Sequence, residues 1–199
     1  VVAWGLLPCP ARAVAEDEDG GGCVLSVIPN EDGGLATPKR GGAPCVIDRE
    51  DLDVAWLEEP LYPFDVQGHA ELAASITTPL LHGENLYDLL MIRDMLDAGA
   101  LGIVQPSDMK LGGLSRWLEA VAMAGAAHKR VVPAGWTMLQ IDQHLAAVTP
   151  HCWMVESIPW IRDIFQEPAR LEGGYVIVSD APGASTAIKP KVLEQYAIS

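Results

Sequence analysis

Acidic residues recur at the ends of short apolar runs in this chain. Glu58 and Glu59 close VAWL, and His82-Gly83-Glu84-Asn85 follows PLL. Gln105-Pro106-Ser107-Asp108 follows LGIV, and Glu156 ends WMVE. The intervals are 26 residues from Glu58 to Glu84 and 24 from Glu84 to Asp108. One carboxylate after one strand is ordinarily a solvated loop residue, but the same habit on successive strands argues for a shared site. Were the runs parallel strands, their C-terminal ends would converge on one point. The result would be an oxygen-rich pocket suited to a hard cation such as Mg2+.

The pair in VAWLEEP needs separate treatment. Pro60 fixes its own φ and disfavours helix at Glu59, so the run reads as a short buried strand that stops there. Neighbouring side chains on a strand point to opposite faces, so Glu58 and Glu59 cannot share one environment. Glu58 is expected to face the metal and Glu59 to make a structural pairing beneath a neighbouring element.

The elements that would carry these groups are legible from residue 53 onward. Strand-like runs (DVAWLE, PLLHGE, LGIVQP, VVPAG, CWMVESI) alternate with segments of helical period (GHAELAASI, NLYDLLMIRDMLDAGA, GLSRWLEAVAMAGAAH, MLQIDQHLAAV). In the second helix Leu86, Leu89, Leu90, Ile92, Met95 and Leu96 form a broad apolar face, with Asn85 as N-cap and Gly99 as C-cap. Uniformly apolar strands alternating with helices imply a parallel sheet covered by helices. Several such units without a nucleotide-type glycine fingerprint favour an α/β barrel of the TIM type over a Rossmann sheet.

Residues 1–52 are different. EDEDGGGC and NEDGGLATPKRGGAP leave no room for a helix of normal length between residues 29 and 45, and only Cys23–Ile28 has strand character. The expected division is therefore an irregular Gly/Pro-rich segment over 1–52, non-native or degraded, and a partial barrel over 53–199. A genuine short N-terminal variant is the competing account of the first segment.

A net charge of −14 with no basic stripe argues against nucleic acid as a partner. No apolar run reaches the roughly 18 residues of a membrane span. Cys9, Cys23, Cys45 and Cys152 show neither a CxxC pair nor zinc-ligand spacing, which favours free thiols in the cytoplasm.

WLEEP, the GEN of LLHGEN, QPxxMKLGG, HLAAVTP with a Glu six residues after its Pro, and the closing DAPG together resemble the mandelate racemase-like branch of the enolase superfamily. The resemblance covers about 145 residues from residue 53. It implies the C-terminal part of a (β/α) barrel and Mg2+-dependent abstraction of a proton α to a carboxylate. A sugar acid is the expected substrate, dehydration the expected outcome, and a homo-oligomer the family habit. By the same resemblance Glu58 and Glu84 are metal ligands, and Glu156 stabilises the developing enediolate. Asp32, 26 residues before Glu58, takes the position of the third ligand, although the family's following helix has no counterpart here.

The departures concern the base. Relatives carry an Asp–His dyad, with the Asp five residues before the GG pair. Here that position is Ser107, with Asp108 next to it, and Ala134 of VVPAGW stands where relatives of the VVPHGW type have His. His82, beside Glu84, is a further candidate to line the pocket, while Lys110 matches a peripheral position. Two readings of function follow: a dehydratase or racemase with a different base, inactive as this truncated chain, or a non-catalytic binding protein that keeps the barrel fold.

Overall fold

The computed structural model describes residues 2–3, 55–134, 139–152, 154–157 and 159–198. The chain divides into two compact units, Leu6–Arg130 and Val1–Gly5 with Val131–Ser199. Within the first, β2 (Leu57–Glu58), β3 (Leu80–His82) and β4 (Ile103–Val104) are parallel. Leu57 pairs with Leu80, and Leu81 with Ile103. With β5 (Arg130–Val131) the sheet order is β2-β3-β4-β5, the order of the chain itself. Such an order has no reversal point, as expected of a barrel segment and not of a doubly wound sheet.

The connections are α1 (Val66–Ser75), α2 (Leu89–Asp97) and α3 (Leu114–Ala126). Leu80, Leu81 and His82 are all buried, as a parallel strand covered on both faces requires. Leu57, Leu72 and Leu80 form one apolar cluster, with Leu61, Ala73 and Ile76 packed against it. Trp117 of α3 is fully buried, and its indole N–H donates to the Pro106 carbonyl at 2.9 Å.

Helix α2 starts later than its periodicity suggests. Its N-cap is Asp88, whose side chain accepts from the Leu90 N–H at 2.7 Å, rather than Asn85. Leu90 is exposed, so the apolar stripe of α2 is narrower than expected, and Leu86 is buried ahead of the helix. Asn85 is drawn off by stronger partners, described below. His128 is exposed at the end of α3 with φ of 56°.

In the second unit α4 (Leu139–Val148) and the run after it carry a separate core of Leu139, Ala146, Val155, Ala169 and Val176. Among the described residues of CWMVESI, where a strand is expected, Cys152 forms a parallel bridge with Val131. An antiparallel hairpin that periodicity did not reveal, β6 (Arg170–Glu172) and β7 (Tyr175–Ile177), pairs with β1 (Val2–Ala3). Gly173 and Gly174 both have positive φ in its turn, the conformation that a Gly-Gly pair between strands favours. Gln140 of α4 holds the neighbouring loop: its amide donates to the carbonyls of Glu167 and Ser185 and accepts from Ala169 N–H at 2.9 Å.

Cys152 is partly buried, and its thiol donates to the Met154 carbonyl at 3.3 Å. Burial pushes this thiol up to about 11, with Asp142 adding to the rise against the Met154 contact. The thiolate is the reactive form, so alkylation of Cys152 by iodoacetamide at pH 8 is expected to be about a hundredfold slower in the folded chain than in urea. Peptide mapping by mass spectrometry reads the rate at this residue alone.

Candidate metal centre and active site

Glu58 is the last residue of β2, Glu84 lies two residues beyond β3, and Gln105 directly follows β4. Three polar side chains therefore stand at the C-terminal ends of three adjacent parallel strands. The sheet register places them there: His82 pairs with Val104, and the Gln105 N–H donates to the His82 carbonyl at 3.0 Å.

Glu58 accepts from the Trp56 indole N–H at 3.2 Å. Burial raises its pKa, hydrogen bonds from Trp56 and Gln105 oppose the rise, and the charges of Glu84 and Glu59 add to it. Two carboxylates that repel one another in a part-buried place are a poor arrangement unless a cation joins them. Gln105 is buried, and its side-chain carbonyl oxygen has no hydrogen-bond partner. The donor set therefore suits a hard cation in kind: two carboxylates and an unsatisfied amide oxygen. Among the described residues no three His, Cys, Asp or Glu side chains are grouped to hold a metal. Asp32, the expected third ligand, lies outside the described residues.

Glu59 turns away from Glu58. It has φ of 43°, a left-handed conformation uncommon for a residue with a side chain. Its carboxylate accepts from the Asn85 backbone N–H at 3.1 Å and from the Asn85 amide, and one oxygen lies 3.1 Å from His82 Nδ1. Burial alone would raise its pKa, but the contacts from His82 and Asn85 outweigh burial and hold it at about 2. Glu59 is thus a brace between β2 and the loop that carries Glu84.

His82 presents no nitrogen to a pocket. It is fully buried, with Nε2 3.1 Å from the Pro63 carbonyl and Nδ1 against Glu59. Its ring stacks on His69, centroids 4.7 Å apart at 18°. His69 Nδ1 lies 2.8 Å from the Asp65 carbonyl. Burial lowers the His69 pKa against that contact, and His82 lowers it further. Glu59 is the orienting partner for His82 that spacing along the chain did not reveal.

Ser107 and Asp108 are both buried in the turn that leads to α3. Ser107 Oγ accepts from the Lys110 N–H at 3.3 Å, and Asp108 Oδ1 from the Met109 N–H at 2.9 Å. Burial raises the Asp108 pKa, opposed by backbone N–H groups of its own turn. The turn ends with the Gly113 N–H donating to the Asp108 carbonyl at 2.7 Å. It delivers Lys110 onto the site: Nζ lies 2.8 Å from Glu84 Oε1 and 2.7 Å from Asn85 Oδ1. The peripheral role expected of Lys110 is therefore corrected, because a lysine stem reaches much farther than its position before the GG pair suggests.

In the second unit Glu156 follows the fully buried Val155 and is itself partly buried; Ala134 is buried.

A family described as enolase C-terminal domain-like matches residues 37–192, beginning upstream of the motifs that start at residue 53. L-talarate/galactarate dehydratase of Salmonella typhimurium LT2 is 33% identical over 134 residues, covering 67% of this chain and 33% of that enzyme. D-galactarolactone cycloisomerase of Agrobacterium fabrum C58 is 28% identical over 158 residues, covering 72% of this chain and 42% of that enzyme. This chain thus spans well under half the length of either relative. The crystal structure of L-talarate dehydratase from Polaromonas sp. JS666, complexed with Mg and L-glucarate, superposes with a TM-score of 0.68 at 29% identity. That match covers 73% of this chain and 40% of the other. With well over half of its residues inside the family match and its carboxylates at successive strand ends, this chain belongs to the enolase C-terminal domain-like family.

Proposed function

We propose that this chain carries part of a Mg2+-dependent site for proton abstraction α to a carboxylate, with dehydration of a sugar acid as the reaction. The observation that supports it best is the placement of Glu58 and Glu84 at the ends of neighbouring parallel strands, where the charge of Glu84 disfavours that of Glu58. Glu58 and Glu84 would hold the metal, with Asp32 as the third ligand. When bound, Mg2+ supplies concentrated positive charge beside the substrate carboxylate.

The chain's own residues do the rest. Trp56 and Gln105 orient Glu58 by hydrogen bonds, and the Glu59–Asn85 contacts hold the loop that presents Glu84. His82 acts through Glu59, as a positioning residue. Glu156 is proposed as the donor toward the developing enediolate, a role that needs its carboxyl protonated. Asp108 is the nearest carboxyl in sequence to the dyad position held by Ser107, and burial favours its protonated form, which suits acid assistance to a leaving hydroxyl.

Titration calorimetry with MgCl2 tests the metal assignment. The parent chain is expected to bind, and Glu84→Gln to bind at least about tenfold more weakly. No binding by either the parent chain or its Lys110→Met variant would overturn the assignment. Ser107 and Ala134 at the dyad positions favour a second reading, a carboxylate-binding protein without turnover. Mg2+ binding with no 2-keto product from any of a panel of aldonic and aldaric acids would select that reading.

A further inference from the structure

Lys110 is the one described lysine or arginine for which an ion pair to Glu84 is seen, and the pair is partly shielded: 27% of the Lys110 and 19% of the Glu84 side chain is exposed. We propose that Lys110 is a tethered counter-cation that competes with the divalent ion for Glu84. The inference rests on the metal assignment above and concerns what the site does when no metal is bound.

Three observations carry it. The ammonium lies 2.8 Å from an oxygen of the same carboxylate that would ligate the metal, so the two cations share one acceptor. Its second contact, Asn85 Oδ1 at 2.7 Å, keeps it beside the loop even when Glu84 is taken by another partner. Asn85 itself is held by Glu59, so this anchor belongs to the floor of the site and not to a mobile surface. Electrostatics supply the reason for such a residue. The charge of Glu84 opposes ionisation of Glu58, and a lysine on Glu84 offsets that repulsion without a metal. The same charge repels an arriving dication and occupies one of its donors, so affinity is lowered as the metal-free state is stabilised.

The turn from Ser107 to Gly113 shows how the lysine is aimed. Lys110 N–H is fixed on Ser107 Oγ at 3.3 Å, and the Leu111 and Gly113 N–H groups close on the Ser107 and Asp108 carbonyls. The stem therefore leaves a closed turn directed at Glu84. Ser107 here helps to position a cation.

The test is Mg2+ titration calorimetry and thermal melting in EDTA, on the full chain, with Lys110→Met, Lys110→Gln and the charge-retaining Lys110→Arg. Lys110→Met and Lys110→Gln are expected to bind Mg2+ about tenfold more tightly than the parent and to melt lower in EDTA, with the deficit removed by saturating Mg2+. Lys110→Arg is expected to stay within about twofold of the parent. Lys110→Gln keeps a hydrogen-bonding group for Asn85, so the comparison holds if Lys110→Met does not fold. Unchanged or weaker binding in the neutral variants, with the parent binding normally, overturns this inference and leaves the metal assignment standing. No binding by the parent or any variant overturns both. Binding by a neutral variant alone supports the competition.

Discussion

Glu59→Ala is expected to lower the stability of the folded chain by about 1–3 kcal/mol, the usual effect of leaving buried polar groups without their partner. The variant removes the carboxylate that accepts from both donors of Asn85 and lies 3.1 Å from His82 Nδ1. His82 is fully buried and cannot turn to water, because Nε2 is held by the Pro63 carbonyl and the ring by the His69 stack. Urea denaturation in EDTA measures the loss without interference from bound metal. A loss below about 1 kcal/mol, the scale of an exposed pair, would show that Glu59 does not brace the site.

The same contact makes a pH prediction with a definite sign. The folded pKa of Glu59, about 2, lies below its ordinary value of 4.5. Its contribution is therefore fully present above pH 4.5 and is lost as the pH falls toward 2. A displacement of this size amounts to at most ~3 kcal/mol. Acid titration of stability in EDTA should show the loss in the parent chain and a shallower acid limb in Glu59→Ala.

Gly83→Ala is expected to cost about 2–4 kcal/mol and to weaken Mg2+ binding at the same time. Gly83 has φ of 138°, which a side chain rarely tolerates. A Cβ there would meet the Gln105 backbone oxygen at 3.0 Å and its carbonyl carbon and nitrogen at 3.1 Å. These are main-chain atoms of the next strand end, tied to the sheet by the Gln105 N–H on the His82 carbonyl, so they cannot rotate aside. Relief would come from displacing the loop that carries Glu84. Gly99→Ala is the control: φ is also positive, at 71°, but nothing lies within 4 Å of the added atom. Only the left-handed conformation is penalised there, at about 1–2 kcal/mol. Equal losses in the two variants would mean that the close approach of β3 to β4 has no energetic consequence.

Much of the fold was legible in the sequence because the hydrophobic pattern is a local property. α1, α3 and α4 fall where the helical period places them, and β2, β3 and β4 where apolar runs end in polar residues. The start of α2 was misplaced because Asn85 and Asp88 are both good caps, and only tertiary contacts of Asn85 with Glu59 and Lys110 remove it from the choice. The β6–β7 hairpin had a local signal, the Gly-Gly pair, but its strands of three residues each are too short for alternation to show.

What the sequence determined by itself is the set of acidic residues at strand ends and the opposite directions of Glu58 and Glu59. The first follows from one repeating strand–helix unit; the second, expected from the two-residue period of a strand, is produced by the left-handed turn of Glu59 just beyond β2. The partners of those groups were decided by the tertiary structure alone. Lys110 on Glu84, His82 under Glu59 and Gln105 on Glu58 join residues 26, 23 and 47 positions apart. Such pairings depend on which strand ends lie side by side and on how far a flexible side chain reaches, and neither is written in local pattern.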